Sequence, residues 1–569
     1  MGKTGDRHGA AGGAARDGPP RAPAAPQGAG GPVSGAPPLP AYSGSAPFTG
    51  DGTDALTALR QKAEDAGALA DLYRDCRPPR EREGPGVREP PGGGPPSRAD
   101  PGEGAELIRK ALDWTCRVCG GLATIPGSPR LSRPVIAAKA LACEGLDAPA
   151  IAASLVREAL ALGRAGPRDV AGEFGEETAS LAAGSLDQDG DAPDSDARRV
   201  ERYRRLLATS LREPRALAVW LASRLFGMIA FPLLPLPQQE PFAQETLDFC
   251  APLAGGLGLL RLKASLEDMS FSVLRPWDYR DIMSRMQAAR AGRREYVAET
   301  CAALERKVRE YGLPCVATGR AKHAFGIWRK MILQNLPFET ILDLYSFRLR
   351  VASDEACYPA LGIVHCHFPA LPGRLKDYIA LSAEDGYRSL HTAVVGPEGI
   401  HIEIRIGSAD MRGRRGDDLE GLLAREPPCA GDAPGTVRAS LGRLLETLEG
   451  AGDPASMLAR FRKALDPAGP VLAFTPDGIP LKLTQGATPI DFAYMLHPLI
   501  GGRLSQAYVG GRPVELGRPL WNLSTVRIET DQGARPAPAW LSMAASPKTR
   551  AMIRRALAPP RGRARGTGL

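Results

Sequence analysis

At 569 residues, with 43% apolar side chains, the chain is long enough for three or four domains with real cores. Its 65 glycines and 53 prolines exclude a single globule and assign a sizeable share to linker or disordered sequence. Membrane spans and disulfide frameworks are excluded too: the longest apolar run, FGMIAFPLLPLP at 226–237, is short and broken by prolines, and the ten cysteines are scattered, while a net charge of +8 suits a phosphate-rich partner such as a nucleotide or RNA.

The first residues, MGKTGDRHGAAGG, lack the apolar core of a secretory signal, so a cytoplasmic protein is expected; the Arg-containing, Ala/Pro-rich stretch behind them leaves an organelle as the alternative. Residues 1–104 are expected to be disordered or low-complexity, with a short helix near 53–76. From 105 to about 318 apolar residues recur at helical spacing, as in PVIAAKALACEGLDAPAIAASLVREALAL, which predicts a helical domain. Cys116 and Cys119 form the only CxxC; with no second pair at zinc spacing, they read as core cysteines. A break at LDQDGDAPDSDARR carries Asp187, Asp189 and Asp191 at EF-hand-like spacing, but Pro193 interrupts it and no terminal Glu follows, so a solvated loop is expected.

The pattern changes after Arg320. AKHAFGIWRKMILQ predicts a helix with Ala324, Ile327, Trp328 and Met331 on one face and Lys322, Arg329 and Lys330 away from it. ILDLYSFRLRV, at 341–351, alternates as a strand with Ile341, Tyr345, Phe347, Leu349 and Val351 on one face. Asp343 falls in register with that apolar set, where a carboxylate either sits at the strand's end or is retained for chemistry. LHTAVVGPEGIHIEIRI predicts two strands joined by a Gly-Pro-Glu-Gly turn, with Ile402, Ile404 and Ile406 inward and His401, Glu403 and Arg405 on the opposite face. An exposed polar face on a half-buried strand would account for those three without chemistry. A Pro/Gly-rich break at about 407–437, a connecting helix within 438–470, a β-rich module at 471–530 with one helix followed by two more strands, and a basic tail at 531–569 complete the chain.

Taken together, several of these motifs resemble one family, the long RelA/SpoT alarmone synthetase/hydrolases. GRAKHAFGIWRKM, ILDLYSFRLRV, CYPALGIVH, PGRLKDYIA, GYRSLHTAVVGPEG and EIRI stand in the order and approximate spacing of that family's synthetase domain. FAQETLDFCAPLAGGLGLLRLKASLEDMSF is similar to its helical link, and VLAFTPDGIPLKLTQGATPIDFAYMLHPLIG to its TGS module. The resemblance covers about residues 105–530. It implies a multidomain fold: an all-α degenerate HD-type domain at 105–250, a helical linker at 251–318, an α+β nucleotidyltransferase-like synthetase domain with a mixed sheet flanked by helices at 319–437, and a small β-grasp TGS domain at 471–530.

The implied reaction moves pyrophosphate from ATP to the ribose 3'-hydroxyl of GTP or GDP, giving (p)ppGpp and AMP. Such a transfer needs cations against phosphates, a metal bridging oxygens and a carboxylate near the attacking hydroxyl. By resemblance, Arg320, Lys322, Lys330, Arg348, Arg374 and Lys376 are candidates to hold the ATP phosphates or stack its base. Asp343 matches the family's magnesium ligand, and Glu403 matches the strand glutamate that assists Mg2+ binding and activates the 3'-hydroxyl. Tyr387 matches the aromatic that stacks on guanine, and His391 lines the same pocket. Singly, the cations read as solvated surface and the two rings as packing; jointly, at family positions, the functional reading is favoured for Asp343, Glu403, Tyr387 and the RLKD cations.

The hydrolase half departs from its pattern. Where the family places a His, a His-Asp pair and a later Asp around manganese, this chain reads Arg133, Arg157-Glu158 and Ser223, and no histidine lies between His8 and His323. Hydrolase activity is therefore expected to be absent. In the synthetase half Gly326 stands for a Ser near the ATP phosphates, Leu381-Ser382-Ala383-Glu384-Asp385 for Asn-Pro-Lys-Pro-Asn, RIGS for QIRT after Glu403, and MRGRRGDDLEGLL for the segment ending Ala-Ala-His-Trp. Each lost hydrogen bond costs on the order of 1–3 kcal/mol if unreplaced, which predicts weaker or altered nucleotide use, with Arg388 restoring some positive charge.

A monofunctional synthetase is the leading expectation. The alternative is a catalytically inactive regulatory protein that binds the ribosome and uncharged tRNA, or an acyl carrier protein, through its TGS domain. His497 matches the family's tRNA-contacting histidine and reads equally as a helix-end residue before Pro498. The family's zinc-binding and ACT domains have no counterpart in the sequence, which counts against ribosome-dependent activation.

Overall fold

The computed structural model describes residues 101–119, 123–125, 128–129, 132–186, 195–229, 236–290, 295–341, 344–381, 388–408, 411, 437–450, 452–466 and 469–558. The helix expected near 53–76, the Asp187–Asp191 loop, and the site candidates Asp343 and Tyr387 lie outside them.

From Pro101 to Glu310 the described chain is mainly helical, as its apolar spacing predicts. α1 (Pro101–Cys119) is followed by a small ribbon, β1 (Ala123–Ile125) with β2 (Ser128–Pro129), and then by α2 (Ser132–Cys143), α3 (Ala148–Ala161), α4 (Pro167–Gly184), α5 (Asp196–Arg212) and α6 (Pro214–Ile229). Asp147 starts α3 by accepting from the Ala150 N–H, and Pro149 in the first turn has no amide to lose. Alanines let neighbouring helices close on α3 until Ala150 to Ala159 are buried throughout, Arg157 and Glu158 included. Cys119 lies in this core and Cys116 packs against it.

α7 (Leu236–Glu245) runs into a π-helical turn, Thr246–Cys250, and then α8 (Ala251–Gly256), α9 (Leu260–Leu274), α10 (Pro276–Arg290) and α11 (Tyr296–Glu310). β3 (Cys315–Ala321), α12 (Ala324–Gln334), β4 (Tyr345–Val351), α13 (Cys357–His367), β5 (Lys376–Asp377), β6 (Leu390–Val395) and β7 (His401–Ser408) form the second unit of architecture. Its strands lie in the order β3-β4-β7-β6-β5, with β4 and β7 parallel and the other pairs antiparallel, a mixed sheet. Phe347, Leu349, Ile402, Ile404 and Ile406 line its inner face, against α11 through Leu304 and Val308 and against α13 through Ala360 and Val364. The strand expected at 341–351 begins at Tyr345: Phe338–Thr340 make a 3-10 turn, and Ile341 is buried in a different core.

That different core belongs to α12. Its apolar face carries Ala324, Ile327 and Trp328, as the sequence predicts, but packs away from the sheet. Trp328 sits between Phe271 of α9, at 4.7 Å between ring centroids, and Phe474, at 5.9 Å. The Asp268 carboxylate on α9 accepts the N–H groups of Ala324 at 3.2 Å and Phe325 at 2.8 Å, so a neighbouring helix supplies the cap of α12.

The connecting segment is two helices rather than one, α14 (Val437–Glu449) and α15 (Pro454–Leu465), because Asp453 caps a new start at the Ser456 N–H. Phe461 of α15 stacks on Phe249 and abuts Tyr203 in the helical core. A second five-stranded sheet follows, built from β8 (Val471–Phe474), β9 (Pro480–Leu483), β10 (Leu504–Val509), β11 (Arg512–Val514) and β12 (Ser524–Thr530) in the order β11-β10-β12-β8-β9, with α16 (Pro489–Leu496) and α17 (Pro498–Gly502). Three strands follow α16 where two were expected; β10 turns into β11 through Gly510 and Gly511, at φ 56° and 79°, a conformation that suits glycine. Within the segment assigned to the basic tail, α18 (Trp540–Met543) and α19 (Pro547–Leu557) bury Trp540 and Ile553 against Ile490 and Tyr494. Among the described residues no helix is long and apolar enough to cross a membrane.

Candidate active site

Side chains alternate across a strand, so burying Ile402, Ile404 and Ile406 turns Glu403 and Arg405 to the opposite face of the mixed sheet. Register fixes their neighbours. One row across the strands reads Arg320, Ser346, Glu403, Ala393; the next reads Thr318, Arg348, Arg405, His391, Lys376. The predicted site residues Arg320, Arg348, Lys376, His391 and Glu403 are thus brought to one face. Arg374 precedes β5 on an exposed loop, Lys322 donates its N–H to the Leu344 carbonyl at 2.8 Å where β3 ends, and Lys330 is half-buried on α12.

The Glu403 carboxylate lies 3.7 Å from His391 Nδ1 and 3.5 Å from Arg405 Nη2. Burial, with the Arg405 guanidinium next, pushes the His391 imidazole down to about 4; Glu403 opposes this, and Lys376 and Arg348 add to it. His391 is therefore neutral near pH 7 and packs edge-on against Tyr378 at 5.1 Å. The unfolded chain takes this proton near pH 6.5 and the folded one only near 4, so stability is expected to fall as pH drops through that window. Replacing His391 with Gln should flatten this dependence, as read from urea midpoints at pH 7 and pH 5; an unaltered slope would contradict the assignment.

Asp377 of the RLKD stretch is a local organiser. It accepts the N–H groups of Ala380 at 2.8 Å and Ile379 at 2.9 Å and the Tyr358 hydroxyl at 3.0 Å, and these bonds hold its carboxyl below the usual range. Arg388, expected to restore positive charge, spends it on Asp354 at 2.8 Å. Arg405, which alternation brings to this face, stands opposite Arg348 at a position where the family pattern has Gln. His497 is exposed and its Nδ1 accepts the Leu499 N–H at 3.2 Å, the helix-end role.

In the helical half, the positions matched to the manganese ligands carry other bonds. Arg157 donates to the Ser185 carbonyl at 3.1 Å from a buried position, and the Ser223 hydroxyl donates to the Trp220 carbonyl at 2.7 Å. Among the described residues no group of three or more His, Cys, Asp or Glu side chains is placed to hold a metal ion.

Three family patterns match the chain: an HD domain at residues 111–260, the region found in RelA / SpoT proteins at 319–416, and a TGS domain at 471–530. The chain is 34% identical over 434 residues to the bifunctional (p)ppGpp synthase/hydrolase SpoT of Escherichia coli K12, covering 76% of this chain and 62% of that protein. It is 34% identical over 451 residues to a GTP pyrophosphokinase of Streptomyces coelicolor, covering 75% and 52%, and 30% identical over 473 residues to one of Myxococcus xanthus, covering 80% and 61%. An HD-type helical domain, a mixed-sheet domain that matches the region found in RelA / SpoT proteins and a TGS domain follow one another in this order. The chain belongs to the RelA/SpoT family. It spans 62% of the length of the first of these relatives.

Proposed function

We propose that the chain is a (p)ppGpp synthetase that transfers pyrophosphate from ATP to the 3'-hydroxyl of GDP or GTP, and that its hydrolase half is inert. The observation that carries the synthetase reading is the face on which Glu403 stands among Arg348, Arg405 and Lys376 beside a neutral His391. In this reading the 3'-oxygen attacks the β-phosphorus of ATP, the bond from that phosphorus to the bridging α–β oxygen breaks, AMP departs, and the hydroxyl proton passes to Glu403. The cations Arg320, Lys322, Lys330, Arg348, Arg374 and Lys376 orient the phosphates and offset charge as it moves to the leaving AMP. Tyr387 and His391 form the guanine side.

Mg2+ is the cofactor of this reading. A magnesium ion takes one or two protein carboxylates and completes its shell with water and phosphate oxygens; the described face supplies one, Glu403, and Asp343 would be the second. When bound, the ion neutralises phosphate charge. For the TGS domain we propose a partner role, toward ribosome-bound uncharged tRNA or an acyl carrier protein.

The test is incubation of the chain with Mg2+, labelled ATP and either GDP or GTP. Label in ppGpp or pppGpp supports the reading, and its absence, with and without ribosomes and tRNA, favours the inactive regulatory alternative. Support for an inert hydrolase half comes from the missing histidines and from Arg157, Glu158 and Ser223 in the core. The expected result with ppGpp and Mn2+ is no release of GDP and pyrophosphate; release above a protein-free control would overturn it.

A further inference from the structure

Strand β7 carries a relocated cation. After Glu403 the chain reads Arg405-Ile406-Gly407-Ser408 where the family pattern reads Gln-Ile-Arg-Thr. Positions 403, 405 and 407 share one face, so a guanidinium has moved by one strand repeat, roughly 7 Å, toward Glu403. Gly407 is not glycine for lack of room: a Cβ there would meet nothing nearer than the Met411 sulfur at 3.8 Å.

The new position adds a positive charge to a face that already carries Arg348 and Lys376, with Glu403 as the nearby carboxylate. Arg405 stands directly opposite Arg348 on one side and His391 on the other, with Lys376 beyond, and like charges facing across strands are destabilising. Its ion pair with Glu403 is long at 3.5 Å. Its Nε is buried and, among the described residues, has no hydrogen-bond partner. A guanidinium with an unused donor, in one row with Arg348 and Lys376, matches the planar, multidentate demands of phosphate oxygens.

We propose that Arg405 is a specificity-determining residue that binds the phosphate chain of a nucleoside 5'-polyphosphate, one strand repeat from the position, 407, where the family pattern carries its arginine. This rests on the synthetase reading for the identity of the ligand class, but not on turnover. The consequence is a phosphate subsite displaced toward the base Glu403.

The test reads equilibrium binding of a fluorescent GDP and a fluorescent non-hydrolysable ATP analogue to the full chain, its Arg405→Gln variant and the Arg405→Gln/Gly407→Arg double variant. Thermal melts confirm that all three are folded. The expected result is that Arg405→Gln weakens one nucleotide by about tenfold or more and the other by less than about twofold, with the weakened one showing which nucleotide the residue serves. The double variant should recover at least part of the loss. Unchanged binding of both nucleotides, equal loss of both, or no recovery overturns the inference. A chain that binds in this Arg405-dependent way yet makes no product sinks the synthetase reading and leaves the inference standing. Product formation with unaltered nucleotide binding in Arg405→Gln does the reverse, and a wild type that binds neither nucleotide sinks both.

Discussion

Glu403→Gln is expected to lower the rate of pyrophosphate transfer by about 10²–10⁴-fold, the usual worth of a positioned general base, while nucleotide binding stays within a few-fold of wild type. The amide keeps the shape of the side chain and removes its capacity to take the 3'-hydroxyl proton. It also removes the negative charge beside Arg405 and His391, at 3.5 and 3.7 Å, so nucleotide binding measured without Mg2+, where the proposed metal-holding role of Glu403 plays no part, has no reason to weaken. Single-turnover rates with saturating ATP and GDP, set beside equilibrium binding of the same nucleotides, separate the two effects. A rate loss below about tenfold would remove Glu403 from the role of base; a parallel collapse of Mg2+-free binding would make it a nucleotide ligand instead.

The largest expected loss of stability lies elsewhere, at Glu245. Its carboxylate, with its side chain only 3% exposed, is held by Arg224 at 2.6 Å, Arg202 at 2.7 Å and the Tyr203 hydroxyl at 2.9 Å. Burial alone would raise its pKa, but Arg224 first and Arg202 next bring it down to about 2. Glu245→Gln leaves two nearly buried guanidiniums without their counter-charge, at an expected cost of about 3–5 kcal/mol. The sign with pH is fixed. A carboxyl that titrates near 4.5 unfolded and near 2 folded contributes its full stabilisation above about pH 4.5 and loses it as pH falls toward 2. Urea unfolding of the helical domain should therefore show a lower midpoint for the variant at pH 7 and a shallower decline in acid. An unchanged midpoint at pH 7 would show that the pair contributes no net stability.

This network also explains how the helical half meets the TGS domain. Glu245 precedes the π-helical turn, and two residues into that turn Asp248 is buried, accepting from Gln244 at 2.7 Å and from the Asn522 amide at 3.0 Å. Asn522 in turn accepts the Leu472 N–H at 3.1 Å, and the Arg462 guanidinium donates to the Leu520 carbonyl at 2.8 Å. Lys482 on β9 donates to the Leu333 carbonyl at the end of α12. The α12 helix is thus bonded at its start by the linker and at its end by the TGS domain.

What was legible in the sequence follows from local periodicity. Alternation in HIEIRI and the Gly-Pro-Glu-Gly turn placed Glu403 on the polar face of a hairpin, and helical spacing identified the apolar face of α12. Neither pattern says what a face will meet. That Trp328 packs between Phe271 and Phe474, more than fifty residues away on one side and well over a hundred on the other, is a long-range outcome. Ile341 extended the strand pattern because a buried residue with extended backbone just after a 3-10 turn looks the same as one in a strand. The break between α14 and α15 did carry a signal, Gly452 before Asp453-Pro454, a helix stop followed by a cap. Arg405 differs again: it stands where the family pattern has Gln, so the resemblance gives it no role, and its neighbours Arg348 and His391 come from strand pairing. Asp343 and Tyr387 rest on the resemblance alone.

If the face around Glu403 moves pyrophosphate from ATP to a guanine nucleotide, the stoichiometry of products shows it. With γ-labelled ATP, GDP and Mg2+, one AMP is expected for each labelled ppGpp, both abolished together in Glu403→Gln. Formation of ADP and free phosphate without labelled ppGpp, or no conversion of ATP at all, would contradict it.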